Sequence, residues 1–360
     1  MMAKTEQLET GCVLQKDVYS KSVKPLMKAG TVLNETHIAF LKAFLIDQVE
    51  VDHLTQGKKK RTVAKKETAP KMDSPKSIAE TSTVHPLDRL YKESVDAYAA
   101  FFANWQSGSS VMIGDFRKAM MPLITGMMND PMWFSSFLVS QSRFETLAAR
   151  SVTFGLLATF FAKKFNCSTG ETVQLGLAGM LADCGLSKLT PSLLNKKEDY
   201  VGSEKALYKK HVVDSYKMLK GLPTLKNEVL IAIIQHHERE DGSGYPLAIE
   251  GSQLSQYGKI LAICDTFLNQ LASSRRSNVL TALGTMRDAS YGKLSGYLMD
   301  KFCYELMTLF IGMNIRLSNG QSGEITFIPV KDPTRPMIHL TDNRVIALSE
   351  TRNVTIECFM

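Results

Sequence analysis

From Leu87 to about Phe310 nearly every stretch of this chain repeats its apolar residues at the three-to-four spacing of an α-helix, with short polar turns between the repeats. Segments such as "ETLAARSVTFGLLATFFAKKF", "ETVQLGLAGMLAD" and "NEVLIAIIQHHERE" carry apolar stripes that must be buried against neighbouring helices. The expectation is a mainly α protein whose centre, residues 86–310, is an antiparallel helix bundle. Most of the 18 methionines fall on these apolar faces and read as core filling.

The flanks follow other rules. Leu8 to Asp52, within a unit spanning 1–56, reads as a small α/β domain: "CVLQKDVYS" and "PLMKAGTVL" as strands around a turn, "NETHIAFLKAFLI" as a helix capped by Asn34, and "QVEVD" as a closing strand. Residues 57–85 are charged, contain proline and lack large apolar residues, as a flexible linker does. Beyond Phe310 the period becomes two, in "NIRLSNGQSGEITFIPV", "RPMIHL" and "VTIECF", so 311–360 is expected to be a small β subdomain with turns at "SNG" and "QSG".

The formal net charge of +7 sits almost entirely in the linker. Between Gly57 and Lys76 eight cations face only Glu67 and Asp73, leaving the rest of the chain close to neutral. No folded basic face is implied and no specific nucleic-acid binding is expected; the basic run reads as a solvated tether. Six scattered cysteines without a CxxC pair argue for reduced thiols. The N-terminus has no apolar signal core, and the longest apolar run, Val152 to Ala162, is too short to span a bilayer. A cytoplasmic protein without a transmembrane segment is expected.

Chemistry concentrates between Met180 and Arg276. "LADCGLSKLTPSLLNK" is followed by His211 in "YKKH", by His236 and His237 in "HHEREDGSGYP", and by Asp265 in "ILAICDTFL". Histidines and carboxylates on the inner faces of several helices are how a bundle builds a metal site. Imidazoles suit transition metals, an aspartate can bridge two of them, and two ions activate water and clamp a phosphoryl group. Each piece also has a plain structural reading. His211 on an amphipathic helix can be a hydrogen-bonded core or surface residue. His236 and His237 differ by about 100° around a helix, so helical geometry alone does not aim both at one centre. "DGSGYP" can be an ordinary turn, with glycines for positive φ.

Taken together, these strings resemble the HD-GYP family of bacterial phosphodiesterases, from about Ser142 to Phe310. "HHEREDGSGYP" carries the resemblance, with "LLNK" and "KKH" upstream and "ILAICD" and "SSR" downstream. The N-terminal unit resembles a small domain found ahead of such proteins, and the β segment resembles their C-terminal extension. The resemblance implies a helical domain holding two or three ions, usually iron or manganese, that hydrolyses cyclic di-GMP. It implies Asp183 as the bridging aspartate of a His-Asp pair, His211, His236 and His237 as ligands, and Asp265 as the final ligand. Gly242, Gly244, Tyr245 and Pro246 match the signature loop, and Arg275 falls among substrate-binding positions.

Measured against that family, the chain departs in three places. Ala182 stands where the pair needs histidine, Leu186 where the family has lysine, and Arg150 where the first helix supplies another histidine; Lys188 follows two residues late. No histidine occurs between His85 and His211, so the loss does not depend on alignment. One site keeps Asp183 and Asp265, too few protein ligands for a divalent ion, while the other keeps Asp183, His211, His236 and His237. At most one divalent ion (iron, manganese or zinc) is expected. Cys184 is a possible soft ligand but reads as packing. Arg150 either bonds both orphaned carboxylates in place of the missing ion or reaches solvent.

Three functions follow. The first is a catalytically impaired or inactive family member that binds cyclic di-GMP, a related nucleotide, or a protein partner such as a diguanylate cyclase. The second is a surviving phosphodiesterase with one ion, and the third an interaction protein whose histidines bind nothing.

Overall fold

The apolar stripes form helices wherever their turns allow it in a computed structural model of the protein, which describes residues 1–19, 25–34, 37–38, 41, 46–52, 85–140, 146–196, 199–272 and 278–360. The first helices are α1 (Pro86–Gln106), α2 (Ile113–Asn129), α3 (Pro131–Val139), α4 (Leu147–Lys164) and α5 (Thr169–Leu181). A 3-10 turn, Cys184–Lys188, leads to α6 (Pro191–Leu194), α7 (Ser203–Lys209), α8 (His211–Leu219) and α9 (Asn227–Gln235). The bundle closes with α10 (Gln256–Ala272), α11 (Val279–Ala289) and α12 (Gly296–Thr308). Among the described residues no helix is long and apolar enough to cross a membrane.

Helix starts follow the side chains able to satisfy free backbone N–H groups. Thr146 accepts from Ala149 N to begin α4, and Ser168 with Glu171 closes a capping box at α5. His85, expected in the linker, instead caps α1: its Nδ1 accepts from Leu87 N, with Pro86 following at the first helical position. The remainder of the linker lies outside the described residues.

Helix α4 was expected to be amphipathic, but every residue from Val152 to Ala162 is buried. An all-round apolar helix belongs at the centre of a bundle, and α4 packs antiparallel to α5 through glycine. A Cβ added at Gly179 would lie 3.0 Å from Gly155 Cα, and one at Gly155 would lie 2.5 Å from Gly176 O. This close approach brings the start of α4, with Arg150, opposite the end of α5, where Asp183 follows.

Glu171 ties this hairpin to α10 by accepting from Tyr257 Oη at 2.6 Å. The Ser168 hydroxyl first, then Tyr257, hold its carboxyl down to about 2 from an ordinary 4.5. A carboxyl depressed in the folded state stabilises that state above the unfolded value, and the contribution fades as pH falls toward the folded one. Glu171→Gln is therefore expected to flatten the fall of melting temperature between about pH 5 and pH 2. Parallel acid limbs for the two proteins would contradict this.

The N-terminal unit pairs β1 (Met2–Lys4) with β4 (Gln48–Glu50), and β2 (Val18–Tyr19) with β3 (Pro25–Met27), all antiparallel. The three-residue β1 was not expected, because a window that short shows no alternation. The expected helix from Asn34 lies largely outside the described residues, although His37, Ile38 and Leu41 are helical. At the other end β5 (Asn314–Leu317), β6 (Ser322–Phe327), β7 (Met337–Leu340), β8 (Val345–Ala347) and β9 (Ile356–Phe359) form one antiparallel sheet ordered β8-β7-β6-β5-β9. It is more than an appendage. Ile315, Leu317, Ile325 and Ile338 enter the helical core, while Met337 and Val345 complete the core of the N-terminal unit.

Candidate metal centre

Asp183 sits just beyond α5 at the entrance to the 3-10 turn. Ser215 of α8 pins that turn: its hydroxyl donates to Ala182 O at 2.7 Å and accepts from Gly185 N at 2.8 Å. His211 begins α8, separated from the end of α7 by Lys210 alone, and His236 is the cap residue of α9. Both histidines are fully buried. His237 lies past the helix end, so the 100° separation of a regular helix no longer holds. The two adjacent rings come to 4.0 Å between centroids.

The tautomers follow from the neighbours. His211 Nδ1 donates to Tyr208 O and His236 Nδ1 donates to Ile233 O, each at 2.6 Å, because a carbonyl can only accept. In the neutral rings Nε2 then carries the lone pair. These atoms face Asp183 Oδ1 at 3.2 and 3.5 Å, yet neither has a hydrogen-bond partner among the described residues. Two buried lone pairs aimed at a carboxylate oxygen repel it unless a cation lies among them. Ligand atoms of Asp183, His211, His236 and His237 all lie within 4.8 Å of one another. Ligands on opposite sides of an ion bound at ~2.1 Å are at most about 4.2 Å apart, so closure needs shifts of about half an ångström. The donor set fits one transition-metal ion.

Asp265, projecting from the middle of α10, stands outside that group. Arg150 Nη2 donates to its Oδ1, Asn269 Nδ2 donates to its Oδ2 at 3.2 Å, and His237 Nδ1 faces Oδ2 at 3.2 Å. The same guanidinium donates through Nη1 to Asp183 Oδ2 at 2.7 Å and through Nη2 to Asn269 Oδ1 at 2.8 Å. Arg150 thus does not reach out to solvent; its side chain is 21% exposed, against 5% and 0% for the two aspartates.

Burial would push the Asp183 carboxyl up, but it is held well below the carboxylate range, and with both Nε2 atoms unprotonated the pull consistent with these tautomers is the Arg150 charge. Asp265 is likewise held down against its burial, by His237 and Arg150. Burial lowers His237 to about 4, with His236 adding to the effect.

The signature loop has its own logic. Gly242 takes φ +73°, as the turn reading requires, whereas Gly244 is needed for space: a Cβ there would lie 2.4 Å from Glu238 Cα. Tyr245 stacks on His237 at 4.8 Å, with Lys209 Nζ 4.8 Å above its ring. Of the four loop positions, Tyr245 is the one whose side chain meets the histidines; Gly242, Gly244 and Pro246 shape its approach.

Sequence reasoning passed over two residues. Glu238, fully buried, accepts from Leu247 N at 2.6 Å and Ala248 N at 3.2 Å, clamping the loop's far end. Its place in "HHE" was visible, but nothing local signals a loop clamp. Asn269, one helical turn after Asp265, completes the Arg150 network; its i, i+4 spacing was the available clue. At the positions where the family has other residues, Ala182 is fully buried and Leu186 is buried, while Lys188, two residues on, is exposed. Burial pushes the Cys184 thiol up to about 12, so it stays a neutral packing group. Arg275 lies outside the described residues.

A model of the HD domain family matches residues 137–291. A cyclic di-GMP phosphodiesterase of Pseudomonas aeruginosa is 22% identical over 262 residues, covering 72% of this chain and 63% of the relative. A cyclic di-GMP phosphodiesterase response regulator of Xanthomonas campestris pv. campestris is 32% identical over 121 residues, 33% of this chain and 32% of its own length. The chain therefore spans less than two thirds of either relative. A solved HDG"Y"P protein of Bdellovibrio bacteriovorus is similar in fold, with a TM-score of 0.52 at 13% identity over 84% of this chain and 97% of that one.

Proposed function

We propose that this chain is a catalytically impaired HD-GYP-type protein that serves cyclic di-GMP signalling by binding rather than by turnover. The observation that carries this reading is the Arg150 guanidinium between Asp183 and Asp265. Those carboxylates would have to hold a second ion, and an arginine bonded to both supplies the positive charge without an open coordination position.

An ion held by Asp183, His211, His236 and His237 would supply Lewis-acid polarisation of a phosphoryl oxygen. Around it the chain's own residues bind and orient. Ser215 and the backbone carbonyls of Tyr208 and Ile233 fix the donors, Glu238 holds the signature loop, and Tyr245 offers an aromatic face beside Lys209 to a base or phosphate. With half of a two-ion clamp replaced by arginine, transition-state stabilisation should fall by on the order of a hundredfold or more.

The intact four-donor set favours a second reading, a slow one-ion phosphodiesterase acting on a cyclic dinucleotide. Metal analysis with a hydrolysis assay separates the two. The proposal expects close to one equivalent of iron, manganese or zinc per chain, binding of cyclic di-GMP, and no hydrolysis above background with added manganese or iron. One equivalent with measurable turnover selects the second reading. Two equivalents with turnover comparable to an intact relative would overturn both, and no bound metal would leave an interaction protein.

A further inference from the structure

The N-terminal unit and the C-terminal sheet enclose a cleft of about 390 Å³ remote in sequence from the Asp183 centre. One wall is the turn from Met27 to Val32 with His37 behind it; the other is the β7–β8 hairpin with His339, Asn343 and Val345. Met27 and Val345 belong to the apolar core shared by the two units, so both walls rest on one packed base. The volume lies at the small end of the range for small-molecule sites.

The lining carries cations and donors. Lys28, His37, His339 and Asn343 contribute polar side chains, and none of the lining residues is acidic. Of the acids near the walls, Asp342 pairs with Arg344 at 2.6 Å, and Asp17 accepts from the amide of Ala29, a lining residue, at 2.7 Å. The amides of Gly30 and Thr31 bond to Leu14 O and Lys28 O, so positive potential in the cleft comes from side chains. Lys28 forms no ion pair among the described residues.

His37 is the built part of the site. It is 6% exposed, and its Nδ1 lies between the Asn34 amide at 3.2 Å and Val32 O at 3.1 Å. That leaves Nε2 without a partner among the described residues. Burial lowers the affinity of this ring for a proton, and His339 pushes the same way. A nearly buried imidazole, a second imidazole and a lysine thus line a space that no carboxylate side chain lines.

We propose that this cleft is a second ligand site, separate from the Asp183 centre, that takes a small phosphate-bearing anion at the seam between the N-terminal unit and the C-terminal sheet. A ligand oxygen can accept from Lys28 Nζ, which supplies the charge, from the Asn343 amide, and from whichever ring N–H His37 and His339 present to the cleft. Because the walls belong to different units, an occupant bonds to both and strengthens their contact.

The test is calorimetric titration of the full chain, at fixed ionic strength, with inorganic phosphate and separately with GMP. Saturable one-site binding is expected for at least one probe. It should weaken at least tenfold in a Lys28→Ala/His339→Ala variant and persist in His236→Ala. Response to phosphate alone assigns the site to the free anion; tighter binding of GMP assigns it to a nucleotide. Should the double variant fail to fold, Asn343→Asp places an opposing charge in the cleft and must weaken binding as well. No saturable binding, binding indifferent to these changes, or binding abolished by His236→Ala would overturn the proposal.

Discussion

Replacing Arg150 with alanine is expected to lower the melting temperature by on the order of 10 °C. The substitution leaves Asp183 and Asp265 buried with no guanidinium between them, and removing one member of a buried ion pair costs about 3–5 kcal/mol. In a domain of this size each kcal/mol moves the midpoint by about 2–4 °C. Arg150→Lys keeps the charge but not the fork that reaches Asp183, Asp265 and Asn269, so it should fall between alanine and the native protein. If the guanidinium stands where a cation belongs, added manganese should raise the midpoint of the alanine variant more than that of the native chain. A midpoint unchanged by Arg150→Ala would mean that the network contributes nothing to the fold.

The second large effect is a gain. The double variant Arg150→His/Ala182→His frees both carboxylates and returns the two imidazoles whose absence marks this chain. It is expected to bind a second equivalent of iron or manganese and to hydrolyse cyclic di-GMP at least about a hundredfold faster than the native protein. Asp183 and Asp265 are already in place, and Asn269 still supports Asp265. Position 182 is fully buried, so the larger side chain requires its neighbours to shift. A folded variant that still binds one equivalent would show that the second position was not lost through these residues. A second equivalent without hydrolysis would point to Leu186, where the family's lysine is missing, and adding Leu186→Lys should then raise the rate.

Much of this site was legible because its parts lie in short strings with local rules. Asp183, His211, His236 and His237 could be named as one donor set, and Cys184 as packing, before any coordinates. The convergence of His236 and His237 could not, because it depends on the helix ending at Gln235, and helix ends are set by the chain that follows. Glu238 was overlooked for a related reason: its partners are backbone amides nine and ten residues away, which no periodicity announces. The four-sided burial of α4 likewise follows from its neighbours; the apolar run was plain, but the helices that cover it come from across the chain.

By itself the sequence determined which groups are missing. The absence of any histidine between His85 and His211 is a matter of composition, and no fold can supply an imidazole that the chain lacks. It also determined the helical class, since the apolar spacing can be satisfied only by buried helix faces. Only the tertiary structure decided what fills the gap. Arg150 reaches partners 33 and 115 residues away because glycine contacts draw α4 against α5, and α10 crosses that pair with Asp265 turned inward. Solvating an arginine or burying it between two carboxylates is a choice between desolvation and Coulomb attraction. The positions of all three side chains in space set that balance.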